Sequence, residues 1–131
     1  MLVRIEVTTA ILFGAGGVSK IGEEAAKLGH KAMVVTYPDI RRIGLLDKVL
    51  KELKEKKVDA VVFERVEPNP RVSTVNEGAA IARKEKIDLV IGLGGGSAMD
   101  SAKAIALGSS GTVSVWNYMD NPAEAKGVIP P

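Results

Sequence analysis

Four times in 131 residues a short apolar run gives way to a stretch of helical spacing. "VRIEVTTAILF" (3–13), "KAMVVT" (31–36), "VDAVVFERV" (58–66) and "DLVIGLG" (88–94) read as strands, by alternation or by unbroken apolar character. "VSKIGEEAAKLGH" (18–30), "GLLDKVLKELKEKK" (44–57), "STVNEGAAIARKEK" (73–86) and "SAMDSAKAIALG" (97–108) read as helices. Strands alternating with helices in this way are satisfied by parallel pairing through right-handed crossovers, with helices on both faces of the sheet. The expected class is therefore α/β: a doubly wound, mostly parallel, Rossmann-like sheet, with residues 1–131 forming one domain.

Local signals fill in this order. Val18, Ile21, Ala25 and Leu28 form one stripe closed by Gly29, and Leu46, Val49, Leu50 and Leu53 form another. Asp47 with Lys51 and Glu52 with Lys56 are favourable pairs on the wet side of the second helix. Thr74 and Glu77 stand at the spacing of a capping box. "EPNP" (67–70) is a turn stiffened by two prolines, and "SSGTVSVWNYMDNPAEAKG" (109–127) reads as irregular. "GVIPP" (127–131) has the look of a further strand just beginning, which raises the expectation of a piece of a longer protein.

Composition removes several classes of function. The net charge is +2 and the "KELKEKK" run alternates in sign, so no basic patch invites nucleic acid. There is no cysteine, hence no disulfide, thiolate chemistry or cysteine-bound zinc. No apolar stretch reaches membrane-spanning length, and the first residues, with Arg4 and Glu6, lack a leader pattern. A soluble cytoplasmic protein is expected. Lysine and glutamate dominate the charges and glutamine is absent, a bias in the direction of heat-adapted proteins.

Two glycine clusters follow expected strands, where open parallel sheets bind ligands. "GAGGVS" (14–19) nearly matches G-x-G-x-x-G, with Asp39 at a distance suited to a ribose-binding acid. "GLGGGSAMD" (92–100) departs from that fingerprint but is physically better equipped. Gly94, Gly95 and Gly96 leave a run of unshielded backbone N–H groups, and Ser97 is a good N-cap, with Asp100 completing a capping box. Free N–H groups at the positive end of a helix make an anion site suited to a pyrophosphate, to which Lys103 adds a charge.

"GLGGGSAMDSAKAIA" resembles the GGGS-x-x-D-x-x-K segment of the iron-containing (group III) alcohol dehydrogenase family. "VEPNP", "FGAGGVSKIG", "IGLLDKVLKELK" and "VSVWNYM" match that family in order and spacing across essentially the whole chain. The resemblance implies the cofactor half of an NAD- or NADP-dependent dehydrogenase. It implies that Gly95, Gly96 and Ser97 hold the pyrophosphate, that Asn69 lines the adenosine side, and that Asp100 and Lys103 belong to the cofactor motif. It also implies a small alcohol or aldehyde as the substrate of a full-length enzyme, and leaves room for a homodimer.

Two departures accompany the resemblance. Where NAD-using relatives commonly place an aspartate after the threonine ending the second strand, this chain has Tyr37, with Asp39 two residues on. The missing acid removes a repulsion against a 2′-phosphate, which Arg41 or Arg42 stands close enough in sequence to meet, so NADP is expected at least as readily as NAD. The family's iron or zinc is held by an aspartate and three histidines of a helical domain that these residues do not contain; the one histidine is His30. The 131 residues are therefore expected to be inactive by themselves. A glycerol-dehydrogenase-like or dehydroquinate-synthase-like cofactor half, and a non-catalytic nucleotide-binding module, remain alternatives.

Overall fold

The computed structural model describes residues 9–111 and 113–125. Three parallel strands, β1 (Lys31–Thr36), β2 (Asp59–Phe63) and β3 (Leu89–Leu93), form a sheet in the order β2-β1-β3. Five α-helices accompany them: α1 (Ile21–Leu28), α2 (Leu45–Glu55), α3 (Val72–Lys84), α4 (Gly96–Ser110) and α5 (Val115–Asp120). Short 3-10 turns cover Gly17–Lys20, Pro38–Ile43 and Pro122–Ala125.

The central strand explains its own composition. β1 pairs on both edges, Val34 lying beside Val62 of β2 and Ile91 of β3. Its side chains alternate between two cores, as a period of two requires. Met33 and Val35 join Phe63, Val75, Ala98 and Ile105 beneath α3, α4 and α5. Ala32 and Val34 join Ala25, Leu46, Val49 and Leu53 beneath α1 and α2. Both faces of the sheet are covered, so no position from Ala32 to Thr36 is left for a solvent-facing residue. This is the Rossmann-like α/β arrangement expected from the alternation.

Several local expectations are corrected. Residues 9–13, the described part of the first expected strand, form no strand, and Ile11, Leu12 and Phe13 are exposed. Residues 3–8 of that expected strand, and "GVIPP", lie outside the described residues. Thr74 and Glu77 do not cap α3, which starts earlier, at Val72, after Arg71. Thr74 Oγ1 donates instead to Glu67, and Glu77 accepts from Arg65. The stretch after α4 is not wholly irregular: Ser114 caps α5 by accepting the Trp116 N–H. Leu28, placed in the buried stripe of α1, is exposed, because α1 turns only Gly22 and Ala25 fully inward.

Candidate functional site

The C-terminal ends of β1 and β3 are neighbours, and the chain leaves them toward opposite faces. From β1 it passes through Tyr37 into the Pro38–Ile43 turn and α2; from β3 it passes through Gly94 and Gly95 into α4. Such a divergence opens a crevice at the strand ends, where this class of sheet receives its ligands. Its floor is fixed by Thr36, fully buried, whose Oγ1 donates to the Leu93 carbonyl at 2.7 Å.

The three adjacent glycines meet three different demands. Gly94 has φ +143, and a Cβ there would stand 2.4 Å from the Tyr37 ring. The turn and the packing of Tyr37 both require glycine at that position. Gly95 is the N-cap of α4, and a Cβ on it would make ordinary contact, 3.4 Å, with the Tyr37 hydroxyl. Gly96 begins the helix, and a Cβ on it would meet nothing within 4 Å. The fold itself does not ask for glycine at Gly96; its missing side chain leaves open space against backbone N–H groups.

Those N–H groups are unengaged by the helix. Ala98 and Met99 are the first residues of α4 to bond back, both to the Gly95 carbonyl at 3.1 Å, so the N–H groups of Gly96 and Ser97 come before the first internal acceptor. No acidic residue lies in the first turn and no side chain caps it. The positive end of the helix dipole therefore meets the crevice without an internal counter-charge.

The sequence-derived residues fall into two groups. Gly95, Gly96 and Ser97 sit together at this helix end, with Tyr37 over the first of them. Ser97 is not the N-cap, since α4 starts one residue before it, and no capping box forms with Asp100. Asp100 instead faces Lys103 at 3.6 Å in an exposed pair, further along the helix surface. Asp39 lies on the turn after Tyr37, 78% exposed and 3.4 Å from Arg42. Asn69 is exposed at the turn leading to α3, in the left-handed region with φ 55, and has no partner among the described residues. The other glycine cluster flanks β3 from the α1 side, where Gly17, Val18, Ile91, Gly92 and Leu93 line a cavity of about 290 Å³.

Sequence reasoning passed over Arg65. It lines a second cavity, of about 640 Å³, together with Tyr37, Pro38, Asp39 and Glu67. Its only signal was a cation near the end of the expected strand 58–66, flanked by Glu64 and Glu67; the observed strand ends earlier, at Phe63.

Among the described residues a metal finds no comparable site. His30 is exposed at the α1–β1 junction, and among the described residues no three histidine, cysteine or acidic side chains converge to hold an ion. No described helix is long and apolar enough to cross a membrane.

Comparison with known proteins follows the same line. The sequence profile of the iron-containing alcohol dehydrogenases matches residues 8–130. Choline dehydrogenase of Bacillus subtilis is 42% identical over 129 residues, 96% of this chain and 32% of that protein. The crystal structure of NADH-dependent butanol dehydrogenase A from Thermotoga maritima is 37% identical with a TM-score of 0.84, covering 88% of this chain and 30% of the other. Sulfoacetaldehyde reductase from Bifidobacterium kashiwanohense, solved in complex with NAD+, is 31% identical with a TM-score of 0.77, covering 90% and 31%. The chain thus spans about a third of the length of the curated relatives it matches.

Proposed function

The chain belongs to the iron-containing alcohol dehydrogenase family, and on that premise we propose that its β1–β3 crevice binds a nicotinamide dinucleotide for alcohol–aldehyde interconversion. The observation that carries this reading is Gly96: open space over the unneutralised N-terminus of α4, at the divergence of two adjacent parallel strands. A pyrophosphate fits the donor set, since N–H groups of Gly96 and Ser97 and the helix dipole all favour an anion there. Two relatives, an NADH-dependent butanol dehydrogenase and a sulfoacetaldehyde reductase solved in complex with NAD+, support the same class of cofactor.

When bound, the dinucleotide supplies the chemistry by accepting or giving a hydride. The residues of this chain do the holding. Gly95, Gly96 and Ser97 take the pyrophosphate, Tyr37 backs the glycine turn, and Asn69 and Asp39 lie toward the adenosine side. Asp100 and Lys103 support the helix that carries the N–H groups. With Tyr37 in place of an acid, NADP is accepted at least as well as NAD. The described residues do not fit the family's metal: His30 is exposed and no three metal-ligating side chains converge among them.

Calorimetric titration of the purified chain with NAD+ and NADP+ tests the reading. Saturable binding of at least one, competed by ADP, is expected; absence of binding by both overturns it. The same chain is expected to show no alcohol oxidation with added iron or zinc, and metal-dependent turnover would remove the view that these residues hold the cofactor without activating the alcohol.

A further inference from the structure

Tyr37 has two sides. One lies against Gly94 and Gly95; the other lines the cavity of about 640 Å³ between the Pro38–Ile43 turn and the segment after β2. That cavity therefore opens off the glycine turn across a single side chain. A dinucleotide anchored at Gly96 has this space as the next pocket along the strand ends.

Four arginines stand near it, and their engagements differ. Arg41 gives both Nε (2.6 Å) and Nη2 (3.1 Å) to the Glu64 carboxylate, so the fork that would grip a phosphate is filled. Arg42 is 83% exposed, reaches Asp39 at 3.4 Å, and does not line the cavity. Arg65 lines it and donates to Glu77 through Nη1 alone. Among the described residues its Nε and Nη2 have no acceptor. The two acids of the wall are already paired: Asp39 with Arg42, and Glu67 with Arg71 at 3.6 Å while also accepting from Thr74. Arg65 is thus the charge on that wall with donors to spare.

We propose that Arg65 receives the 2′-phosphate of NADP, with Glu77 fixing the guanidinium so that its free edge faces the cavity. This rests on the dinucleotide reading of the crevice and adds to it the residue that discriminates between the two cofactors. A planar guanidinium with two parallel donors suits a phosphate monoester, and the NAD ribose offers no such anion.

The test is calorimetric titration of the full chain and of Arg65→Ala, Arg65→Lys and Arg42→Ala with NADP+, NAD+, 2′,5′-ADP and 5′-AMP. Thermal melts would establish that each variant is folded. Arg65→Ala should weaken NADP+ and 2′,5′-ADP by about tenfold, the size of one charge-assisted contact, while NAD+ and 5′-AMP stay within about twofold. Arg65→Lys should recover only part, because an ammonium lacks the fork, and Arg42→Ala, which frees the Asp39 carboxylate beside the cavity, should weaken NADP+ clearly less than Arg65→Ala does. Equal losses for phosphorylated and unphosphorylated ligands, or a selective loss in Arg42→Ala as large as that in Arg65→Ala, overturn the assignment. If NAD+ binds and NADP+ does not, the crevice reading stands and Arg65 falls. If neither binds, the crevice reading itself fails and this inference with it.

Discussion

The side chain of Thr36 donates to the carbonyl oxygen of Leu93 across 2.7 Å, and the two residues are also register partners at the ends of β1 and β3. The Thr36 carbonyl in turn accepts the Val66 N–H at 3.2 Å. One fully buried residue therefore joins three segments directly beneath the glycine turn. Lateral ties of this kind keep adjacent strand ends from splaying where their connections part to opposite faces.

Thr36→Val keeps the shape and deletes the donor. The buried Leu93 carbonyl then loses a partner, so the variant should be less stable by about 1–3 kcal/mol. Urea denaturation should show a lower midpoint at unchanged slope, because the area exposed on unfolding stays the same. An unchanged midpoint would show that the hydroxyl contributes nothing to holding the crevice floor.

A second tie lies at the opposite end of the sheet. The Asp88 carboxylate accepts the His30 N–H at 3.0 and 2.8 Å and the Lys31 N–H at 2.8 Å. Gly29 permits this approach, since a Cβ there would stand 2.4 Å from Oδ1. Burial pushes the carboxyl pKa up, but the backbone donors of His30 and Lys31, with the His30 charge, more than reverse it, and the net value lies below the ordinary one. A depressed carboxyl contributes stability above its unfolded pKa of about 3.9 and loses it as pH falls through the folded value. Asp88→Ala should therefore cost about 1 kcal/mol at neutral pH, a charged hydrogen-bond contribution reduced by solvent screening. The gap from the unmodified chain should narrow as pH falls below about 4. Denaturation curves at pH 7 and pH 3 check both; a gap that stays constant would mean that the charge is irrelevant.

What was legible in the sequence followed from short-range pattern. β1 occupies the span its apolar run marks, and α2 buries Leu46, Val49 and Leu53 as its stripe requires. The failures come from tertiary choices. Ser97 and Thr74 have good capping chemistry, yet both helices begin earlier, because Gly95 and Arg71 already stand in extended conformation at the turn. α5 escaped notice because a helix with only Val115 and Tyr118 buried shows too little periodicity among asparagine and aspartate. The reason for Gly94 was invisible in principle: the ring that fills the space of its side chain comes from Tyr37, on another strand end. Arg65 was hidden likewise, since only the folded chain brings the end of β2 to the same cavity as Tyr37.

Gly96→Val probes the proposed anion site without disturbing the fold. A Cβ at Gly96 has no neighbour within 4 Å, so the variant should melt within a few degrees of the unmodified chain. The added side chain would occupy the space over the first N–H groups of α4, and dinucleotide affinity should fall by at least about a hundredfold, roughly 2.8 kcal/mol. Gly94→Ala provides the contrast: with φ +143 and the Tyr37 ring in the way, it should lose stability as well as binding. Undiminished binding by a folded Gly96→Val chain would remove the phosphate role from this helix end.

Tyr37→Asp addresses cofactor choice at the residue that stands between the glycine turn and the neighbouring cavity. Tyr37 is half-buried against Gly94, and its hydroxyl lies over Gly95, so any charge placed there faces both the glycine turn and the cavity beyond it. A like charge at roughly 4 Å costs about 1 kcal/mol in water and about 4 kcal/mol at an effective dielectric near 20. An aspartate would repel a 2′-phosphate and offer an acceptor to the ribose hydroxyls of NAD. The ratio of NADP+ to NAD+ affinity should fall by roughly tenfold or more, since 1.4 kcal/mol is a factor of ten. Tyr37→Phe, which keeps the ring against Gly94, should leave the ratio near that of the unmodified chain and thereby separate packing from charge. A strong preference for NAD+ in the unmodified protein would mean that Asp39, exposed and held only by Arg42, turns inward to take the ribose contact. In that case Asp39→Asn, rather than any change at Tyr37, would reverse the preference.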